Sequence, residues 1–578
     1  MALSNGLKSK STKSIMMVSC AMALTSTALY SGSGPSFARF DYDVARAHEI
    51  KPHRRTVPLK GMREGSSQFH ITLTVSPTGD VIDAHADSQE NAVKFWPQLE
   101  PEVRKWKFIP FENEGKPATA EVEEYIDVVP PERLPTVHVP SPTLRADSKV
   151  TITLERTGCY GTCPAYIVSV STDGIKFFGR HFVVAAGNHI GTIDAGRVRD
   201  IANRFIAANF YSMDASYRAG VTDNPTYALT LSIDGHKKEV EDYVGSWVGM
   251  PEVITDLEDE VDAIAETGRW IEGANGLTSA LKNERFDFST YQAQDILKQA
   301  ASRGQTSTVQ ELLKAGTPLA PLPKPKVDDW TLSRWINESG WLTAASRHPE
   351  TLKALLDVGA SQTDQDDKNR ALAAAARSGS LKAVQDLIAY GADPNANVTT
   401  DNGAERTQND RNQMNGPGTI LIDAATSGNP DVVREILRYH PDLEGRGFRQ
   451  RTAIFSAGEP LTTDNPVDRV QCVRLLVQAG ANINARDFDG DTPLHQIYLF
   501  DVEEELLKLG ADVNARNNDG ATPIFTNVDN DSVALFIAHG ADLTVRNKKG
   551  KSVFQAAKEG GPLRQEALRK AVQELKKK

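Results

Sequence analysis

The chain has 578 residues, which is too long for one hydrophobic core and predicts several domains. Its composition, with 40% hydrophobic and 24% charged residues, is ordinary for a globular protein. The formal net charge of −11 argues against a nucleic-acid-binding protein, because such proteins usually carry a basic surplus. We therefore expect no nucleic-acid partner.

Residues 1–38 have the pattern of a secretory signal peptide. Three lysines precede the mostly apolar stretch Ile15–Tyr30, and Ser36-Phe37-Ala38 offers small residues for a cleavage site. A retained membrane anchor is the alternative, but the stretch is shorter than the roughly 20 apolar residues that span a bilayer. We predict cleavage, no membrane span in the mature chain, and export to the periplasm of a Gram-negative cell envelope.

Residues 50–130 predict a small α+β domain. The segment resembles the TonB C-terminal domain through a run of features in one order: an alternating strand at His70–Pro77, a Gly79-Asp80 turn, a short helix at Pro97–Lys105, a W-x-F-x-P segment at Trp106–Pro110, a Gly115–Pro117 turn and a last strand at Glu121–Val129. The resemblance implies the fold. It does not imply energy coupling, because the mature chain would have neither a membrane helix nor a long Pro-rich spacer.

A Pro-rich linker at 131–147 leads to a second predicted α+β domain at 148–273. Its predicted elements include a strand at Val150–Arg156, a hairpin turn at Asp173-Gly174 and an amphipathic helix at Glu252–Arg269. The segment Cys159-Tyr-Gly-Thr-Cys-Pro-Ala-Tyr166 resembles the C-[FY]-G-x-C-P-x-Y motif of an uncharacterised family of bacterial exported domains. That resemblance implies a fold and an exported context but no activity.

The close cysteine pair, Cys159 and Cys163, leaves several interpretations open. A disulfide closing a tight turn is the preferred one, since Gly161 lets the chain turn between them. A redox-active pair, a zinc site and two free thiols are the alternatives. Zinc would need further ligands, and the nearest candidates, His181 and His189, are interpreted as residues of surface strands.

A repeat of constant length begins near residue 290. Gly480, Gly510 and Gly540 are each 30 residues apart, and Thr-Pro pairs recur at Thr492 and Thr522. Threonine caps a helix, proline suits its first position, and glycine ends a helix in the left-handed conformation. These motifs are similar to ankyrin repeats, which implies an all-α solenoid at 290–578 with about seven repeats and a C-terminal cap.

Ankyrin repeats imply a structural scaffold whose hairpin tips vary freely, because the core does not use them. The sign of the tip charges changes from acidic to basic along the array, which would orient a dipolar protein partner. The predicted partner-binding residues are Arg486, Phe488, Asp489, Arg516, Asn517, Asn518, Arg546, Asn547 and Lys548.

The predicted fold class is therefore multidomain, with two small α+β domains followed by an all-α ankyrin-repeat solenoid. We expect an exported scaffold that binds a protein, with no catalytic residues, no metal and no cofactor. The alternatives are an enzyme or thiol-redox protein centred on residues 148–273, or an immunity-type protein that neutralises a toxin.

Overall fold

The computed structural model describes residues 38–40, 56–60, 62, 65, 67–86, 90–113, 116–320, 322, 340–359, 364–398, 418–459, 466–526, 530–559, 568–570 and 573. The predicted signal peptide lies outside these residues, except for Ala38. Among the described residues, no helix is both long and apolar enough to cross a membrane. The chain forms two compact units, one of residues 1–133 with 246–249 and one of residues 134–245 with 250–578.

In its described residues, the first unit is a β-sheet with one helix. The strands are β1 (Ala38–Phe40), β2 (Thr56–Pro58), β3 (Ser67–Val75), β4 (Val81–Ala86) and β7 (Ala120–Val129), with helix α1 at Glu90–Val103 and a small hairpin of β5 (Glu112–Asn113) and β6 (Lys116–Pro117). The sheet order is β1-β7-β3-β4, and β2 also pairs with β7.

Alternation along β3 explains the core of this unit. Phe69, Ile71, Leu73 and Val75 are buried on one side of the strand, as the period of two predicts. The turn after β3 requires glycine, because Gly79 has a φ of 84° and a Cβ there would overlap the carbonyl oxygen of Phe108.

Helix α1 begins earlier than predicted. Pro97, which marked the predicted start, lies inside the helix, and the helix ends at Val103 rather than Lys105. The preceding turn is stabilised by packing, since Phe95 is buried in the core beside Phe69. The burial of Phe95 therefore outweighs the preference of proline for the first turn of a helix.

The second unit begins with a seven-stranded sheet of order β11-β10-β9-β8-β13-β14-β12. The strands are β8 (Val150–Arg156), β9 (Ala165–Ser171), β10 (Gly174–His181), β11 (Gly187–Gly191), β12 (Ser216–Arg218), β13 (Tyr227–Ile233) and β14 (His236–Tyr243). Helices α2 (Ala195–Ala207) and α3 (Glu252–Ala265) pack on the central strands β8 and β9. The predicted linker packs against this domain, since Val139 N–H donates to Ser212 Oγ at 2.9 Å.

Helix α3 ends before the predicted Arg269. Glu266 adopts a left-handed conformation with a φ of 51°, which closes the helix, and the short helix α4 (Gly268–Ile271) follows. Helix α5 (Leu277–Asn283) then leads into the repeats.

Seven antiparallel helix pairs follow in the described part of the chain. They are α6 (Tyr291–Ser302) with α7 (Thr306–Lys314), α8 (Trp341–Ala345) with α9 (Pro349–Asp357), α10 (Gln365–Arg377) with α11 (Leu381–Ala389), α12 (Ile420–Thr426) with α13 (Pro430–Leu437), α14 (Ala453–Gly458) with α15 (Pro466–Ala479), α16 (Pro493–Gln496) with α17 (Phe500–Lys508), and α18 (Pro523–Thr526) with α19 (Asn530–Ala538). Helix α20 (Val553–Glu559) begins the next unit, within the predicted cap.

The repeat motifs do what their chemistry predicts. Thr492 caps α16 together with His495, whose Nδ1 accepts the Thr492 N–H at 3.1 Å. Gly510 follows α17 with a φ of 99°. The chain therefore has a β-rich N-terminal region in several domains, followed by a helical ankyrin-repeat array.

Candidate functional site

The hairpin tips of consecutive repeats are hydrogen-bonded to one another. Phe488 N–H donates to Arg449 O at 2.8 Å, Asn518 N–H to Asp489 O at 2.9 Å, and Lys548 N–H to Asp519 O at 2.8 Å. Each tip therefore takes its position from the tip before it. Backbone bonds of this kind make the tips one continuous surface rather than separate loops.

The three predicted asparagines use their side chains inside this surface. Asn517 Oδ1 accepts from Asp519 N–H and Ala521 N–H at 3.0 and 2.9 Å. Asn547 Oδ1 accepts from the N–H groups of residues 549 and 551 in the same way. Asn518 Nδ2 donates to Phe488 O at 3.1 Å. These amides shape the hairpins, and Asn517 in particular has little hydrogen-bonding capacity left for a partner.

Two of the three predicted arginines also bond hairpin backbone, and Arg486 reaches the next hairpin as well as its own. Arg486 Nη1 donates to Gly490 O at 3.0 Å and to Arg516 O in the next hairpin. Arg546 Nη1 donates to Gly550 O at 2.7 Å. All three arginines keep exposed surface, so they can still contribute charge to a contact.

The Asp487–Asp491 hairpin presents less unpaired negative charge at the surface than the sequence pattern suggests. Asp489 pairs with Arg449, and Asp487 and Asp491 are buried. Asp487 Oδ1 instead accepts the N–H groups of Asp489 and Asp491 at 2.9 and 3.0 Å. The sequence could not show this, because Arg449 belongs to the preceding repeat.

Within the described part of the chain, the same three aspartates have carboxylate oxygens close enough together to hold a metal ion. Their carboxylates are already engaged, since Asn517 Nδ2 donates to Asp491 Oδ1 at 2.7 Å and Arg451 pairs with Asp487. The arrangement is accounted for by the hairpin itself, and hydrogen-bonded carboxylates of this kind need no cation.

The side chains left exposed on the tips form what we term the fingertip ridge. It consists of the residues at one equivalent position of four successive hairpins: Phe448, Phe488, Asn518 and Lys548. Phe448 and Phe488 are 52% and 45% exposed, which is unusual for phenylalanine and typical of a contact surface. The ridge changes from aromatic at one end to basic at the other, where Lys549 is also exposed.

Cys159 and Cys163 form a disulfide in the loop between β8 and β9, with Cα atoms 5.6 Å apart. Gly161 N–H donates to Cys159 O at 2.9 Å, which is the turn that the intervening glycine permits. Cys472 is not part of a disulfide, and it is buried. The pair thus acts as a clamp on the loop in this structure.

The sequence analysis did not predict a row of polar side chains that runs across the sheet next to this loop. Strand register aligns side chains from five strands on the helix-facing side of the sheet: Tyr166, Arg156, Tyr227, Asp242 and Tyr217. Helix α3 adds Glu258 and Asp262, and Tyr166 Oη donates to Asp262 Oδ2 at 2.5 Å. The register between strands, which no local motif encodes, is what brings these groups together.

Burial dominates the electrostatics of the row. It raises the pKa of Glu258 to about 9, with the charges of Asp242, Asp259 and Asp262 adding to the effect. Burial also raises the pKa of Asp242 and that of Asp262. The Glu258 carboxyl is therefore protonated at neutral pH. Buried neutral carboxyls occur both in polar cores and in active sites.

His189 differs from its prediction as a surface residue. It is buried, stacks on Trp270 with ring centroids 4.1 Å apart, and its Nδ1 lies 2.9 Å from Glu284 Oε2. Because a carboxylate only accepts, Nδ1 carries the proton. His181 is exposed, as predicted. Burial of His189 depends on Trp270, which lies some 80 residues later in the chain.

Comparisons with known proteins identify two kinds of domain. Residues 150–265 match the family model for a domain of unknown function, DUF6438. Residues 297–398 match the model for three ankyrin repeats, and residues 464–488 and 489–518 match the single ankyrin repeat. No curated protein matches the chain.

Solved structures that are similar to part of the chain include the following two. The human ASB11 ankyrin repeat domain is 22% identical, with a TM-score of 0.32, and the match covers 40% of this chain and 96% of that one. A chain from the complex of the Bdellovibrio bacteriovorus predatory endopeptidase Bd0816 with the immunity protein Bd3460 is 26% identical, with a TM-score of 0.28, and the match covers 34% of this chain and 96% of that one. On its family matches, the protein contains a DUF6438 domain followed by ankyrin repeats.

Proposed function

We propose that this protein is an exported, non-catalytic scaffold that binds another protein through the fingertip ridge of its ankyrin repeats. The observation that carries the proposal is the exposure of Phe448 and Phe488 on hairpins held in place by backbone hydrogen bonds. A surface that is already ordered loses little conformational entropy on binding.

The chemistry of the ridge defines the kind of partner. Phe448 and Phe488 would anchor an apolar patch, because large aromatic side chains carry much of the binding energy at protein interfaces. Lys548 and Lys549 at the other end would face acidic residues. The partner is therefore a folded protein with an apolar patch and an acidic patch in line.

Two observations support an exported location. Residues 1–38 have the pattern of a signal peptide. The disulfide between Cys159 and Cys163 is of a kind that persists in oxidising compartments and is rare in the cytosol. We include in the proposal that residues 50–130 have a TonB C-terminal-like fold without energy coupling.

Affinity capture from a periplasmic extract, with the full mature chain as bait, tests the proposal. The wild type should repeatedly recover one protein, enriched over a cytosolic extract processed in parallel. The double variant Phe448→Ala/Phe488→Ala should bind that protein at least about tenfold more weakly, since truncating a central aromatic anchor costs about 2 kcal/mol or more.

The matched control is Phe500→Ala. Phe500 is 40% exposed, similar to the ridge phenylalanines, but it lies in α17, the second helix of its pair. This variant should bind as the wild type does. Recovery of no specific protein, or equal loss of binding in the control, would contradict the proposed role of the ridge.

A further inference from the structure

A cavity of about 350 Å³ lies beside the edge strand β11 of the DUF6438 domain. Residues 186–190 line one side. Glu284 and Phe286, from the segment that leads into the first ankyrin pair, and Gln292, in α6, line the other. Its volume is at the low end of the range for ligand-binding pockets. The cavity belongs to the second unit and is separate from the fingertip ridge.

The backbone of β11 presents a hydrogen-bonding pair to this cavity. Ile190 lies opposite Lys176 of β10, and its N–H donates to Glu284 Oε1 at 2.8 Å, so it points away from β10. Backbone groups of a strand alternate with a period of two, so Asn188 N–H and C=O point to the same side. Among the described residues, no loop or side chain bonds to either group.

Side chains cover the strand edge on both sides of Asn188. Glu284 Oε1 accepts a hydrogen bond from the Ile190 N–H, and Gln292 Nε2 donates to Ala186 O at 3.4 Å. Between these two side chains, the strand edge exposes one donor, the Asn188 N–H, and one acceptor, the Asn188 C=O. One residue of an extended peptide fits here, because its backbone N–H and C=O have the spacing needed to pair with the C=O and N–H of Asn188.

The charge of the cavity narrows the choice of ligand. Among the lining residues, Glu284 carries the permanent formal charge, which is negative. Its described partners are His189 and the Ile190 N–H, and neither is a lysine or an arginine. Ile190 is 68% exposed and, with Phe286, offers apolar surface. We propose that this cavity binds a short extended peptide segment, which pairs one residue with Asn188 and directs a basic side chain to Glu284.

Calorimetric titration of the full mature chain with acetyl-Lys-Val-Lys-amide tests the inference. The wild type should bind this peptide, and N-methylation of its central valine should weaken binding at least about tenfold, because it removes the donor for Asn188 C=O. Replacing both lysines with norleucine should weaken binding to a similar extent. Failure of the first peptide to bind, or equal binding of the methylated one, would overturn the proposal.

Substitution of the protein gives a second measure. Asn188→Pro removes the N–H that faces the cavity and leaves the bonds to β10 intact, since proline is tolerated on an edge strand with its nitrogen facing outward. This variant should lose binding at least about tenfold relative to Asn188→Ala, which keeps the N–H. Glu284→Gln should remove the preference for lysine over norleucine. Equal binding by Asn188→Pro and Asn188→Ala, with both folded, would contradict pairing at this strand.

Discussion

Burial in the fold strongly alters the ionisation of Glu258. Its folded pKa of about 9 is above the unfolded value of 4.5, so the folded state binds the proton more tightly. The free energy of unfolding should therefore fall as pH rises from about 4.5 to 9, by at most about 1.4 kcal/mol per pH unit. Glu258→Gln should remove this contribution and be more stable than the wild type at pH 8 but similar at pH 5.

Hydrogen exchange of the amides in β8 measures this locally, because that strand packs under α3. Asp256→Asn on the same helix is the control, since Asp256 is exposed. Its exchange should follow the wild type at both pH values. A Glu258→Gln protein whose β8 exchanges faster than the wild type at pH 8 would show that the carboxyl is needed as a hydrogen-bonding group in the core.

The sequence predicted residue roles well where they depend on one repeat alone. Thr492 and Gly510 occupy the cap and left-handed positions because their chemistry is local. It predicted them poorly where neighbouring repeats meet. Arg486 appeared free as a tip residue, yet it bonds Arg516 O, 30 residues away, a contact that exists only after stacking.

The disulfide loop between β8 and β9 is the element with the clearest covalent constraint. The double variant Cys159→Ser/Cys163→Ser should lose about 2 kcal/mol of unfolding free energy. This loss is at the low end for a disulfide, because the bond closes a loop of only a few residues. The sheet should persist, since β8 and β9 are paired along their length. Denaturant unfolding measures the loss, and the reduced wild type should match the variant. An unchanged midpoint after reduction would contradict a stabilising disulfide.

A helix or strand could be predicted from the sequence where the residues that determine it are close together in the chain. The alternation in Val150–Arg156 gave the bounds of β8 that the structure has. The end of α3 was missed, because Glu266 stops the helix without the glycine or asparagine that usually marks a left-handed residue. The edge position of β11 was not predictable, since it depends on strand order across the whole sheet.

At the scale of the second unit, the DUF6438 domain and the segment that follows it contact the first ankyrin pair. Arg303, just after α6, donates from Nη2 to Phe182 O at 3.0 Å, and Thr308 Oγ1 donates to Gly273 O at 2.7 Å. Phe182 lies within the DUF6438 match, and Gly273 lies between α4 and α5, after that match. An ankyrin repeat cannot shield its apolar face alone, so a terminal repeat needs a cap. We infer that this domain serves as the N-terminal cap of the array.

Arg303→Met should therefore loosen the array at one end. Methionine keeps apolar packing but removes the donors to Phe182 O, so amides of α6 should exchange faster, by about 1–3 kcal/mol in opening free energy. Amides of α17, five helix pairs further along, should change less, because repeats interact only with their neighbours. Arg347→Met, at an exposed arginine between α8 and α9, is the matched control and should leave α6 unchanged. If α6 exchanged no faster in Arg303→Met than in this control, the capping contact would contribute nothing to the stability of the first repeat.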